Sequence, residues 1–460
     1  MRRWAYRPPG AQHGGRLTVL TAIDPRIKAA SPSVGGSGYL YEDLAGIPGS
    51  ARRMGAGPAR DLYLKTLDCK QYWPRIRCPV MFLGATNDFN SPMELVVRGF
   101  RSLPEQGGAM SFTPHMNHRF TADNLAARIL WFDAHLKNSF TFPGTARTVL
   151  ELNPGTGIPR LTVRPDLSGP HPLQKVAIYY GYDRDPRARF WRSATVRREG
   201  NQFVADCPVM ELGEPLFAFA NVSYKLGAPM EMPRGYAENS RLTVTGEFRK
   251  AYPHQLAAAG VRAVGGRQRL IDDFSRGWED WSLVGVAHRA HWNYETHKIN
   301  DPAHVGPQGA SLAFEVETSA PDQTLAVVLY ADQWRSYTGR KPRRHAALVA
   351  LAKAGTHQVS LPMARFLTED GTALDTYDYL TSLILTPAQK ERPETVSEEW
   401  DAEVPRFKNL RWVGGEFLPR QRPYLKSGAA DVDAAAAFRG QFDEAVNESV
   451  EREDQSREER

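Results

Sequence analysis

Two side chains in this sequence have the types and the spacing to carry out acid–base chemistry together. The run Cys78-Pro79-Val80-Met81-Phe82-Leu83-Gly84-Ala85 is apolar, ends in small residues and is followed by a lone carboxylate, Asp88. Thirty positions after Asp88, a second run, Ser111-Phe112-Thr113, has opened into Pro114-His115-Met116-Asn117-His118. A carboxylate that accepts the Nδ1–H of an imidazole holds the ring in one tautomer, with Nε2 as its basic nitrogen. Given a hydroxyl nucleophile as third member, this is a nucleophile–His–acid triad. His118 suits the base role because it lies further into its loop, just before the next helix; His115 is the competitor. An Asn-Asp pair after a strand is also a common turn former. Neither residue says much alone, and the pairing rests on order and spacing.

The elements that must position them are legible from periodicity. Residues 78–85 are apolar without alternation, as in a strand buried on both faces, and 109–113 form a second strand. Residues 92–103 read as a helix, and 123–137 carry Leu125, Ile129, Phe132 and Leu136 at helical spacing. Upstream, 16–30 read as a helix ended by the Asp24-Pro25 turn. A short strand then runs into Val34-Gly35-Gly36, and 39–75 form a helical excursion. This alternation predicts a parallel sheet with helices packed on it, and each candidate residue ends a strand, where open α/β sheets bind ligands.

After Phe142-Pro143-Gly144 the pattern changes to short alternating runs separated by turn clusters, the mark of β-sandwiches. The expected fold class is therefore α/β, followed by two all-β sandwich-like domains and a disordered acidic tail. The expected boundaries are 1–146, 147–250 (fibronectin-like), 268–415 (jelly-roll-like) and 424–460, the last too alanine- and acid-rich to bury a core.

Composition narrows the function classes. With 42% hydrophobic and 24% charged residues, the chain has the make-up of a globular protein. It has no run of about 18 apolar residues to span a membrane. Met1-Arg2-Arg3-Trp4 lacks an apolar signal core, so no export signal is expected in the chain as written, and the compartment stays open. The net charge of +6 divides unevenly: residues 427–460 hold ten acids and four arginines, leaving +12 on the rest. Those basic residues are dispersed, without interleaved aromatics, which argues against nucleic-acid binding. Cys69, Cys78 and Cys207 are too few and scattered for a disulfide framework or a zinc site. No calcium-loop spacing of acids occurs, and neither a metal nor a cofactor is expected.

Asp24-Pro25-Arg26-Ile27-Lys28-Ala29-Ala30-Ser31-Pro32-Ser33-Val34-Gly35-Gly36, the run from Cys78-Pro79-Val80 to Asn87-Asp88-Phe89, and Asn117-His118 together resemble the dienelactone-hydrolase/acetyl-xylan-esterase branch of the α/β-hydrolases. The resemblance covers residues 14 to about 140 and implies a serine esterase acting on carboxylic esters, often acyl groups on carbohydrates. It assigns Asp88 the acid and His118 the base, and it implies that residues 1–146 are a partial domain lacking its first strands. In that branch a Gly-x-Ser-x-Gly-Gly elbow precedes the helix. Here the stretch is Gly10-Ala11-Gln12-His13-Gly14-Gly15, with Gln12 at the nucleophile position. An amide nitrogen is non-basic and cannot attack an ester, so the chain as written is expected to be inactive. The aromatic-rich 268–415 block resembles carbohydrate-binding jelly rolls more weakly, through Ile271-Asp272-Asp273-Phe274. Trp334 and Tyr337 could stack on sugar rings, or such aromatics could fill sandwich cores. The expected partner is a small-molecule or carbohydrate ester; a non-catalytic carbohydrate- or protein-binding remnant is the alternative, and the oligomeric state is open.

Reading the codons for residues 5–15 one nucleotide later permits Arg-Ile-Gly-x-x-Gly-His-Ser-Met-Gly, close to the strand and elbow of an active member. Residues 1–13 are then an out-of-frame read, against the alternative of an authentic glutamine. The nucleotide sequence upstream of Met1 is expected to encode the rest of a hydrolase half in the neighbouring frame. Its absence there removes the frameshift reading.

Overall fold

Val80–Ala85 (β1) contains no polar side chain and is buried along its whole length. Val80 and Phe82 enter one apolar core and Met81 and Leu83 another, as period-2 alternation requires of a strand covered on both sides. Gly108–Thr113 (β2) pairs with β1 in parallel, from Val80 opposite Gly108 to Ala85 opposite Thr113. On the other side of β1, two isolated parallel bridges tie Ala30 to Val80 and Ser33 to Leu83. The computed structural model describes residues 14–36, 57–89, 91–104, 107–183, 185–233, 236–283, 292–333, 341–389, 392–396, 400 and 402–419. Gln12, Trp334, Tyr337, the part of the 39–75 excursion before residue 57, and the tail 424–460 lie outside them, so the expectations for those positions do too.

Gly14–Ile23 (α1) and Pro58–Thr66 (α2) precede β1. Met93–Arg101 (α3), between β1 and β2, has Glu94 in its first turn and Arg98 and Arg101 in its last, complementing the helix dipole. It presses Met93, Val96 and Val97 into the Phe82 core, while Ala122–Phe132 (α4) presses Ala127 and Leu130 into the Leu83 core.

From Arg147 onward the described regular elements are nearly all strands. Arg147–Glu151 (β3), Arg160–Arg164 (β4), Leu173–Gly181 (β5), Arg192–Ser193 (β6), Arg197–Glu199 (β7), Gln202–Asp206 (β8), Leu216–Met230 (β9), Asn239–Thr245 (β10) and Arg249–Ala251 (β11) form two antiparallel sheets. One runs β3-β4-β8-β7 and the other β10-β9-β5-β6, with β11 also on β9. Leu161, Val163, Ile178, Ala205 and Val222 fill the space between them.

A short helix, Pro253–Ala258 (α5), leads to Leu270–Asp272 (β12), Ser282–Leu283 (β13), Tyr294–Thr296 (β14), Ser311–Thr318 (β15), Gln323–Ala331 (β16), Arg343–Leu351 (β17), Gly355–Pro362 (β18), Leu380–Gln389 (β19), Arg392–Val396 (β20) and Arg406–Val413 (β21). These form the antiparallel sheets β12-β21-β15-β18 and β13-β14-β19-β16-β17, with β20 on β19. Trp281, Trp292, Phe314, Leu329 and Trp412 fill the core they share. Trp281 and Trp292 are thus core residues, 6% and 0% exposed.

The expected α/β class, headed by the C-terminal part of an α/β-hydrolase sheet, is overturned. The described residues are mostly β, with 38% strand against 17% helix, in several antiparallel sheets. Among the described residues the parallel pairing at the N-terminal end stops at β1, β2 and the two bridges beside them. The physical reason lies in the partner of β2. Its outer edge meets no further parallel strand and is closed by side chains of the antiparallel sheet. Asn221 Nδ2 donates to the Phe112 carbonyl at 3.0 Å, and the Phe112 N–H donates to Thr245 Oγ1 at 2.8 Å. Those contacts satisfy an otherwise open strand edge. Among the described residues no helix is long and apolar enough to cross a membrane.

β1 and β2 approach closely at Gly84, where an added Cβ would stand 2.5 Å from the Phe112 ring. Gly84→Ala is therefore expected to destabilise the fold by about 1–3 kcal/mol through overpacking. Urea unfolding measures the loss, and Phe112→Leu in the same chain is expected to return part of it.

Candidate active site

The ends of β1 and β2 are joined residue by residue. The Thr86 N–H donates to the Thr113 carbonyl at 3.0 Å, and the Asn87 N–H to the Met116 carbonyl at 3.0 Å. The His115 N–H donates to Thr86 Oγ1 at 2.9 Å, and the Phe89 N–H to Asn117 Oδ1 at 3.0 Å. Asp88, between these ties, is fully buried, and both its oxygens face His118 Nδ1, at 2.9 and 3.0 Å. The Ser91 N–H donates to Asp88 Oδ1 at 2.9 Å. A carboxylate so held accepts the Nδ1–H, which makes Nε2 the basic nitrogen of the ring. His118 retains 17% exposure of its side chain, and its ring lies 4.9 Å from that of Phe89.

The histidine loop is anchored at its far end as well. Thr121 caps α4 by accepting from the Asn124 N–H, and the Asn124 side chain returns to the Thr121 N–H, a reciprocal cap. Asn124 Nδ2 also donates to the Ser111 carbonyl on β2 at 3.0 Å, so helix start and strand are fastened together. The loop between Thr113 and Thr121 thus has little freedom at either end.

The two candidate histidines part company here. His115, in the left-handed region at φ 62, turns inward and is 5% exposed. Its ring stacks on Phe190 at 5.2 Å and stands edge-on to Tyr179 at 6.5 Å. Its Nε2 faces Asp280 Oδ1 at 3.7 Å, beyond hydrogen-bond reach, and neither atom has another hydrogen-bond partner. Burial pushes the His115 imidazole down to about 4, against the pull of Asp280; Lys298, His297 and Arg276 push the same way as burial. It is neutral at neutral pH. Burial raises Asp280, but the surrounding positive charges outweigh it and hold the carboxyl below the usual range, with Lys298 Nζ at 2.7 Å. His115 is therefore a buried interface residue, and it is His118 that meets Asp88.

The sequence reading missed Asn87 and Asn117, which look like ordinary turn formers. It also missed Asp280 and Lys298, which no local pattern links to the site. The polar run Thr86-Asn87-Asp88 after a wholly apolar strand was the one available signal for Asn87. Among the described residues no group of acids, histidines and cysteines could hold a metal ion. The chain matches no protein-family model and no curated protein.

Because His115 binds its proton at about 4 when folded and near 6.5 when unfolded, the unfolded chain takes up more protons between those values. Stability is thus expected to fall as pH drops from about 6.5 toward 4, by on the order of 3 kcal/mol from this residue. His115→Asn tolerates the left-handed backbone. It is expected to remove that part of the decline in urea midpoints measured at pH 7 and pH 4.5.

Proposed function

We propose that Asp88 and His118 are the acid and base of a serine-hydrolase-type carboxylic ester hydrolase, whose substrates are acyl esters of carbohydrates or small molecules. The observation that carries this reading is the imidazole held through Nδ1 on a fully buried carboxylate while the ring keeps partial access to solvent. In such a reaction Nε2 takes the proton of a nucleophilic hydroxyl as its oxygen bonds to the ester carbonyl carbon. The imidazolium, stabilised by Asp88, then returns the proton to the departing alkoxide. Water, deprotonated by the same nitrogen, releases the acid from the acyl-enzyme. The motifs resembling the dienelactone-hydrolase/acetyl-xylan-esterase branch support the same assignment of roles.

By that resemblance the nucleophile position is Gln12, two residues before the first residue of α1. Glutamine cannot serve, so the chain with Gln12 has little or no turnover. The same residue favours a second reading, a non-catalytic protein that binds carbohydrate or another protein.

Hydrolysis of an aryl acetate separates the two. The chain with Gln12 is expected at background. Gln12→Ser is expected to raise the rate at least about 100-fold, the scale of a positioned general base. His118→Ala or Asp88→Asn in the serine variant is expected to abolish the gain. A folded Gln12→Ser protein at background, with the unaltered chain retained on polysaccharide, favours the binding reading.

A further inference from the structure

The segment joining β5 to β6, residues 182–191, is a loop in which every described residue is buried, Asp183, Asp185, Arg187 and Arg189 among them. Connecting loops normally run over the surface, because a buried one must find partners for its backbone and its charges. This loop finds them on three sides. Toward the candidate site, the carbonyls of Arg187 and Arg189 accept from Asn87 Nδ2 at 3.3 and 2.7 Å. Toward α3, the Arg189 guanidinium lies 2.7 Å from Glu94 and 3.5 Å over the Phe217 ring. Toward the last pair of sheets, Asn300 Nδ2 donates to Asp183 Oδ2 at 2.8 Å and to the Ala188 carbonyl at 2.6 Å.

Asn87 concentrates these ties at one side chain. Its Nδ2 is committed to the loop, and its Oδ1 accepts from the Thr86 hydroxyl at 2.8 Å. That hydroxyl oxygen in turn accepts the His115 N–H at 2.9 Å, three residues before His118. The ring of His115 rests on Phe190, a member of the same loop. Both the strand end that carries the acid and the strand end that carries the base therefore lean on 182–191.

We propose that the 182–191 loop is the positioning element of the Asp88–His118 pair, with Asn87 and Asn300 as positioning residues, so that docking of the last pair of sheets sets the geometry at the site. Asn300 meets the loop at Asp183 and Ala188. It acts by fixing Asp183 and Ala188, which fixes the carbonyls that hold Asn87, which sets the backbone entering Asp88. The inference rests on the acid–base reading of the pair, but it is measured without any substrate.

The readout is the low-field proton resonance of a histidine Nδ1–H bonded to a carboxylate, assigned to His118 by its absence in His118→Gln. The unaltered full chain is expected to show it. Asn87→Ala and Asn300→Ser are expected to lose it while remaining cooperatively folded. Leu312→Ala, a truncation in the core of the last pair of sheets, is expected to destabilise the protein and keep the resonance. Asn300→Ser is the milder change and decides the matter if Asn87→Ala does not fold. A folded Asn300→Ser protein with the native resonance overturns the proposal, as does absence of the resonance from the unaltered chain. Ester turnover bears on the hydrolase reading alone, so the two proposals fail separately.

Discussion

Over residues 216–224 β9 is buried on both faces at once, and much of the molecule is arranged to satisfy it. Leu216, Ala218, Ala220 and Val222 fill the core facing β4 and β8, while Phe217 and Phe219 fill the core facing β1 and α3. The small side is set against a sheet already rich in side-chain volume, and the aromatic side against the strands that carry the site. A slip of one residue would exchange phenylalanines for alanines, overpacking one core and emptying the other, so the register is strongly specified. That register is shared with β5, where Ile178 lies opposite Ala220. It places Asn221 at the edge of β2, and the loop that follows β5 meets Asn87.

The site inherits its rigidity from that arrangement. Four hydrogen bonds tie residues 86–89 to residues 113–117 before the carboxylate and imidazole are considered. The pair is thus preorganised by backbone it does not itself supply, which is what acid–base chemistry requires of its supporting shell. One of the two neighbouring histidines keeps part of its ring exposed, and the other is sealed.

The sealed histidine borders a small buried ionic cluster. Lys298 Nζ lies 2.8 Å from Asp272 and 2.7 Å from Asp280, and Arg276 reaches the same oxygen of Asp280. Arg276 is half exposed and also pairs with Glu279 at 3.2 Å, and Trp281 Nε1 donates to Asp272 Oδ2 at 2.8 Å. Burying such charges is tolerable only when they are paired and hydrogen-bonded. A proton on His115 would be buried beside Lys298, His297 and Arg276, and the loss of hydration together with those like charges outweighs the attraction of Asp280 there.

The sequence alone determined the local facts. The uninterrupted apolar run of β1, the start of α4 after Thr121, and the carboxylate and histidine thirty positions apart are all written in short stretches of chain, where periodicity and turn chemistry act. Class was not legible that way, because strand runs of either pairing look alike until their neighbours are known. Whether β2 meets another parallel strand or the edge of an antiparallel sheet depends on Asn221 and Thr245, more than a hundred residues away. Position in the loop favoured His118 over His115, but what His115 meets was non-local: its ring goes to Phe190 and Asp280, while that of His118 goes to Asp88. The hold of the 182–191 loop on Asn87 joins residues a hundred apart through backbone carbonyls, which carry no side-chain signature. Only packing brought them together, because the loop's buried polar groups had to find partners and the side chains at the strand ends supplied them.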